Sequence, residues 1–252
     1  MKYVGSFISN AAAYGVALLV ASWAFSAQAE VTQAEVKVTA IRGSAQYSEG
    51  GASWAVLEVG KILKGGAVIK TAADSSVDLY LKQNGPVVRV TADTTLALDK
   101  LVFEDTGSDL VIETKLNLTN GRILGTVKKL AKASKYEVQI PSGVVAIRGT
   151  KYDISANGKI NIPQGSVLVG FQGANYNVNA GESFTPPTAP GGTPTITRIP
   201  ADVRKTIDTF LNETTGTMPP EGKPTVTPTQ PTAPTQEPFV SPVLGGEGHS
   251  HP

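Results

Sequence analysis

The sequence predicts an all-β protein: one β domain of stacked short strands, β-solenoid-like or sandwich-like, followed by a short α-helix and a disordered Pro/Thr-rich tail. Three observations support this prediction: short segments that alternate apolar and polar residues, turn residues that recur between them, and prolines crowded at one end of the chain. A period of two places one face of a strand inside and the other in water. Many such strands at regular spacing are typical of sandwiches, barrels and solenoids.

The predicted strands fill residues 30–185. Val36–Arg42 and Ser76–Lys82 alternate cleanly, and Tyr136–Ile140 repeats the pattern. The segments between strands hold Asn-Gly and Gly-Gly pairs, which suit the positive φ angles of tight turns. No long segment has a helical period, although residues 127–134 have room for one or two helical turns. A doubly wound nucleotide-binding fold is therefore excluded.

The prolines divide the chain. Three of the 17 precede residue 186, and the other 14 lie between Pro186 and Pro252. Beyond the β domain we expect a Pro/Thr/Gly-rich linker over 186–200 and a disordered tail over 215–252. Between them, residues 201–214 carry an apolar stripe at helical spacing, which predicts one amphipathic helix. A lone helix of this length is marginal, so we expect its stripe to dock on the β domain or on a partner.

Residues 1–29 have the features of a secretory signal peptide. Lys2 supplies a positive start, Ala11–Phe25 is apolar, and Ala27-Gln28-Ala29 fits the small-residue cleavage motif. The apolar run is shorter than the roughly 20 residues that span a bilayer, which favours a cleaved signal over an uncleaved anchor. We therefore expect a mature protein that begins at Glu30, is periplasmic or secreted, and is not integral to the membrane.

The composition excludes several kinds of site. The chain has no cysteine, which excludes disulfides, thiolate metal sites and a cysteine nucleophile. Its two histidines, His249 and His251, lie within four residues of the C-terminus, so a Ser-His-Asp triad is not expected. With 22 basic and 21 acidic residues, the chain lacks the excess of positive charge typical of nucleic-acid binders. We expect no catalytic residue, no metal, no cofactor and no nucleic-acid partner.

A five-residue pattern occurs twice. Ala40-Ile41-Arg42-Gly43-Ser44 returns as Ala146-Ile147-Arg148-Gly149-Thr150. The glycine indicates a bend or a close backbone approach, and the arginine offers five donors to carbonyls or to a carboxylate. Two interpretations stand: an arginine that ties neighbouring turns together, which we favour, and an arginine that grips a ligand. Arg42, Arg148, Gly149 and Thr150 are therefore candidate ligand or structural positions.

Five stretches, in order, resemble the FecR family, the extracytoplasmic domain named after the iron-dicitrate sensor. The most specific is Ile140–Tyr152, with Arg-Gly-Thr near its end; the others are Val59–Thr71, Asp74–Leu81, Gln164–Val169 and Asn179–Glu182. Together they lie within Val36–Phe184, nearly the whole β domain. Lys61 stands where the family often has an acid, and Ile140 where it has threonine, so a ligand role does not carry over through those side chains.

The resemblance implies an all-β, solenoid-like domain that binds proteins or ligands and has no catalytic role. Iron-sensing members place a cytoplasmic domain and one membrane span ahead of this domain. In this sequence about ten residues precede the apolar stretch. We therefore expect a stand-alone secreted member of the family.

Lys128, Lys129 and Lys132 belong to a run with four lysines in eight residues. The run predicts either contact with a polyanion, such as an acidic glycan or a phosphate-bearing envelope polymer, or a solvated surface that discourages aggregation. We favour the solvated surface.

Two further features have simpler explanations. Glu104, Asp105 and Asp109 lack the alternating pattern of a calcium loop, so we expect a polar hairpin loop. Trp54 has the ring to stack on a sugar, but packing in the core or at a strand end is the expected role.

These observations predict a non-enzymatic extracytoplasmic binding or scaffold module that engages a protein or glycan partner at the bacterial cell envelope. The alternative is a sensory or regulatory component of a cell-surface signalling system that acts with a separate membrane protein. A third and less favoured hypothesis is an envelope carbohydrate hydrolase that uses carboxylates alone.

Overall fold

The computed structural model describes residues 30–51, 53–189 and 191–215, which form two β-sheets and one α-helix. The predicted leader and most of the predicted tail, including His249 and His251, lie outside the described residues. The helix α1 is Ala201–Thr215, and a 3₁₀ turn covers Lys82–Asn84. Within the described ranges, no helix combines the length and hydropathy needed to cross a membrane.

The strands, in chain order, are mostly three to seven residues long, with two of eleven. They are β1 Val31–Gln33, β2 Val36–Arg42, β3 Ala45–Glu49, β4 Ala55–Val56, β5 Ile62–Leu63, β6 Ala67–Thr71, β7 Ser76–Tyr80, β8 Val87–Val90, β9 Thr95–Asp105, β10 Leu110–Asn120, β11 Arg122–Thr126, β12 Lys135–Ile140, β13 Gly143–Ile147, β14 Lys151–Ser155, β15 Ile160–Gln164, β16 Ser166–Phe171, β17 Ala174–Asn179, β18 Glu182–Thr185 and β19 Thr195–Arg198.

The two sheets face each other. The first has the order β17-β16-β13-β12-β10-β9-β6-β3-β4, with β1 paired to the far end of β9. The second has the order β19-β18-β15-β14-β11-β8-β7-β2-β5. Strand number falls along both orders until the last step, from β3 to β4 and from β2 to β5, so the chain advances along the stack as it passes back and forth between the sheets. The described strand pairs are antiparallel, except for the parallel pair β10 and β12.

The core lies between the sheets. Buried apolar side chains from both sheets belong to one continuous cluster, including Val77 and Leu79 of β7 and Leu96 and Leu98 of β9. These residues stand at alternate positions along their strands, as the period of two requires. The predicted all-β fold is therefore confirmed: it is sandwich-like in its two facing sheets and solenoid-like in its stepwise stacking.

Two segments differ from their predictions. The predicted linker over 186–200 contains β19, which pairs antiparallel with β18. The reason is local: Thr195-Ile196-Thr197 is β-branched and free of proline, so its backbone donors can join a sheet. Residues 127–134 form an irregular loop without a helical turn.

The helix α1 packs on the outer face of the second sheet. Ile207 and Leu211 are buried against Leu124 of β11, with Val203 and Phe210 packed beside them. This small cluster is separate from the main core. Of the two partners expected for the apolar stripe, the β domain is the one observed.

Candidate functional site

Six of the seven candidate residues meet at one place, where the chain crosses between the sheets. Lys128, Lys129 and Lys132 lie in the loop between β11 and β12, and Arg148, Gly149 and Thr150 join β13 to β14. We call residues 127–135, 147–151 and 164–166 the basic crossover surface.

Arg148 fastens the lysine-bearing loop to the strand connection. Its guanidinium is exposed, and Nη2 donates to the carbonyl oxygens of Lys132 at 3.0 Å and Ala131 at 3.4 Å. Hydrogen bonds from a charged donor to two successive carbonyls hold a loop that has no regular structure of its own. These are the contacts expected of an arginine that ties turns together.

Gly149 and Thr150 complete the junction. Gly149 has φ +86°, and a Cβ at this position would lie 3.0 Å from the Cα of Lys129, so a side chain there would be strained and would crowd the backbone of Lys129. The buried Thr150 donates its hydroxyl to the carbonyl of Ser166 at 2.8 Å. Its own carbonyl accepts from the N–H of Val127 at 2.9 Å. Three successive crossings are thus joined to one another.

A buried tyrosine pair lies beneath the junction. The hydroxyls of Tyr136 in β12 and Tyr152 in β14 are 3.1 Å apart, and both rings are buried. Burial raises the pKa of both phenols well above the ordinary value, so each remains neutral and the two hydroxyls satisfy each other. This hydrogen bond therefore joins β12, which follows the lysine-bearing loop, to β14, which follows the Arg-Gly-Thr connection.

The charges at this surface are of one sign. The segments 127–135 and 147–151 contain six basic residues and no aspartate or glutamate. Among the described residues, no carboxylate forms an ion pair with Lys129, Lys132, Lys135 or Lys151. The side chains of Lys129, Lys132 and Lys135 are exposed.

Arg42, the seventh candidate, lies at a different corner, between β2 and β3. Its exposed guanidinium is 3.4 Å from Oε2 of Glu213 in α1. The same Glu213 oxygen accepts from Arg89 at 3.3 Å. Arg42 therefore borders the helix and not the basic crossover surface.

Sequence reasoning missed the ion pairs under α1. Arg89 of β8 is buried, pairs in a bidentate manner with Asp78 of β7, and places its guanidinium carbon 3.8 Å from the ring centroid of Phe210. Burial lowers the pKa of Arg89, but the hydrogen bonds and charges of Asp78 and Glu213 outweigh it and raise the pKa overall. The signal was available: Arg89 interrupts the otherwise apolar segment Val87–Val90.

The remaining candidates have local explanations. Glu104, Asp105 and Asp109 flank the β9–β10 hairpin loop, where Oδ1 of Asp105 accepts from the N–H of Gly107 at 2.8 Å. No group of three or more histidine, aspartate or glutamate side chains is placed to hold a metal within the described part of the chain. Trp54 is 40% exposed, with the ammonium of Lys70 4.2 Å from its ring centroid, so it lies at the surface and not in the core.

The comparisons with known proteins agree with the resemblance. Residues 67–180 match the family model described as FecR protein. Residues 67–180 are a FecR domain. The matched range contains the Arg-Gly-Thr junction, the tyrosine pair and the lysine loop. No curated protein sequence matches the chain.

Two crystal structures of a proposed anti-sigma factor from Parabacteroides distasonis are similar to this FecR-domain chain. Each is 15% identical, with TM-scores of 0.45 and 0.42. The alignments cover 57% and 54% of this chain and 64% and 61% of the solved chains. The chain therefore spans less than two thirds of the length of either structure.

Proposed function

We propose that this chain is a non-enzymatic extracytoplasmic binding module whose FecR domain engages a protein partner at the cell envelope. The FecR domain supports a signalling or regulatory role at the cell surface. The leader motif at Ala27-Gln28-Ala29 supports export. In the alternative, a regulatory role, the partner is a membrane protein, and it binds the surface described below.

The observation that carries the proposal is the open end of the stack formed by β4 and β5. Each sheet ends there in a strand of two residues. Four large apolar side chains are exposed around this end: Trp54 at 40%, Val56 at 70%, Val59 at 61% and Ile62 at 37%. We call these four residues the apolar end.

A protein segment fits the apolar end better than a sugar does. Edge strands leave backbone donors and acceptors unpaired, and an extended segment of another protein can pair with them. Clustered apolar side chains add area that a polar glycan does not match. The aromatic ring of the apolar end, that of Trp54, already carries the ammonium of Lys70 on its face.

The charge around the apolar end indicates the kind of segment. Lys37, Lys64 and Lys70 are exposed there, and Lys61 pairs with Glu49 at 3.3 Å. We therefore expect an extended partner segment with apolar side chains and acidic flanks.

Site-specific photocrosslinking in the native envelope tests this proposal. A photoreactive amino acid at Val59 is expected to yield one protein adduct of constant mass. The matched control is Leu168 on the outer face of the first sheet, which is 41% exposed and lies on β16, far along the strand order from β4. Val56→Lys with Val59→Lys is expected to weaken purified partner binding about tenfold or more. Equal adducts at both positions, or none at Val59, would refute the apolar end as the binding surface.

A further inference from the structure

We infer that the basic crossover surface binds the phosphate headgroups of an anionic membrane leaflet. The inference does not depend on the protein partner proposed above, because the basic crossover surface shares no residue with the apolar end.

The basic residues lie on chain segments that are hydrogen-bonded to one another. The hydroxyl of Thr150 reaches the carbonyl of Ser166, and the carbonyl of Thr150 reaches the N–H of Val127. Arg148 holds the carbonyls of Ala131 and Lys132. Three successive crossings are therefore stacked side by side, and Arg148 lies against the loop that carries Lys129 and Lys132.

These segments are rich in basic residues. Six basic residues and no acidic residue lie within 127–135 and 147–151. The ion pairs described elsewhere bring a cation next to a carboxylate, as Lys100 does with Glu113 at 2.6 Å and Lys82 with Glu35 at 2.8 Å. The exposed ammonium groups of Lys129, Lys132 and Lys135 have no such partner among the described residues. A surface of this kind attracts anions.

The position of the lysines indicates the shape of the ligand. Lys129 and Lys132 are exposed on a loop, so they suit many phosphates in a plane better than one phosphate in a pocket. Lysine is a compact point charge on a flexible stem, which follows headgroups that move laterally. Each basic residue near an anionic leaflet raises membrane partition about fivefold.

Arg148 acts as a positioning residue in this arrangement. Its two carbonyl contacts fix the loop that carries Lys129 and Lys132. Replacing Arg148 would change the shape of the surface as well as its charge, so the test leaves Arg148 in place.

Vesicle co-sedimentation of the protein purified after export tests the inference. The protein is expected to bind phosphatidylcholine vesicles doped with phosphatidylglycerol, and not vesicles of phosphatidylcholine alone. Lys129→Gln with Lys132→Gln is expected to weaken partition about twentyfold. The matched control, Arg204→Gln with Lys205→Gln, removes the same charge at exposed positions on α1 and is expected to change partition less than twofold. Raised ionic strength is expected to abolish binding.

The outcomes separate the alternatives. Equal losses in the two double variants would show that net charge alone matters and would overturn the site. Binding of soluble polyphosphate through Lys129 and Lys132 without vesicle binding would make a polymer the ligand and overturn the lipid assignment. A protein that ignores both probes but still crosslinks through Val59 would overturn this inference and leave the proposed function standing.

Discussion

The two Ala-Ile-Arg-Gly corners have similar sequences and different roles. Both glycines have positive φ, +73° at Gly43 and +86° at Gly149, and both lie against another segment. The arginines diverge. Arg148 donates to carbonyls of an adjacent loop, whereas Arg42 faces Glu213, 171 residues away in sequence. The pattern therefore specifies the backbone bend, and the arginine takes whatever acceptor the surroundings provide.

The glycines are expected to give the largest effects. Gly149→Ala should lower the free energy of unfolding by about 2–4 kcal/mol, because a left-handed φ is costly for alanine and the new Cβ meets the backbone of Lys129. Gly43→Ala should cost about 1–2 kcal/mol, since its Cβ meets mainly the side chain of Ser75. Urea denaturation of both variants measures the difference.

A second substitution sharpens this contrast. Ser75→Ala removes the hydroxyl that a new Cβ at position 43 would meet, and is expected to recover part of the cost of Gly43→Ala. Lys129→Ala should recover none of the stability lost in Gly149→Ala, because the new Cβ at position 149 meets backbone atoms of Lys129 and not its side chain. Recovery at both corners, or at neither, would contradict the distinction.

Replacing Arg148, the arginine of the second corner, is expected to have the next largest effect on the free energy of unfolding. Arg148→Ala should cost about 1–2 kcal/mol and speed hydrogen exchange in residues 131–134, because it removes both carbonyl contacts. Arg148→Lys should recover little, since an ammonium lacks the planar fork of a guanidinium. Unchanged exchange in the loop would show that Arg148 does not tie the crossing.

Replacing Arg42, the arginine of the first corner, is expected to have the smallest effect on the free energy of unfolding. Arg42→Ala is expected to change the free energy of unfolding by less than about 0.5 kcal/mol, because the Arg42 and Glu213 side chains are 66% and 45% exposed. Thermal unfolding at low and high salt should show a small, salt-sensitive difference. A cost equal to that of Arg148→Ala would remove the contrast between the corners.

Local patterns predicted the β domain and the helix well. Alternation along Ser76–Lys82 and the stripe at Val203, Ile207 and Leu211 are properties of adjacent residues, and the structure uses both as expected. The repeated pattern also predicted a close backbone approach at its glycine, and the structure contains one at Gly149.

The features that sequence patterns did not predict depend on contacts between residues distant in sequence. Nothing near β10 or β12 indicates that they pair in parallel across the loop of residues 127–134. The two-residue strands β4 and β5 are too short to show a period. The burial of Arg89 depends on Phe210 and Glu213, more than 100 residues later. Pairing register and long-range ion pairs follow from the assembled sheets, so single-segment patterns do not contain them.

The stepwise advance of the chain along both sheets has a consequence for the order of assembly. Most strands pair with strands near them in sequence, so the stack can grow from its first strands as the chain is made. Helix α1 emerges later and packs against Leu124 and Arg89, on strands completed about 75 or more residues earlier. Its docking joins the first half of the stack to the last. The helix therefore braces β8 and β11 against the last segment of the described fold, and we expect its removal to let these strands open more easily.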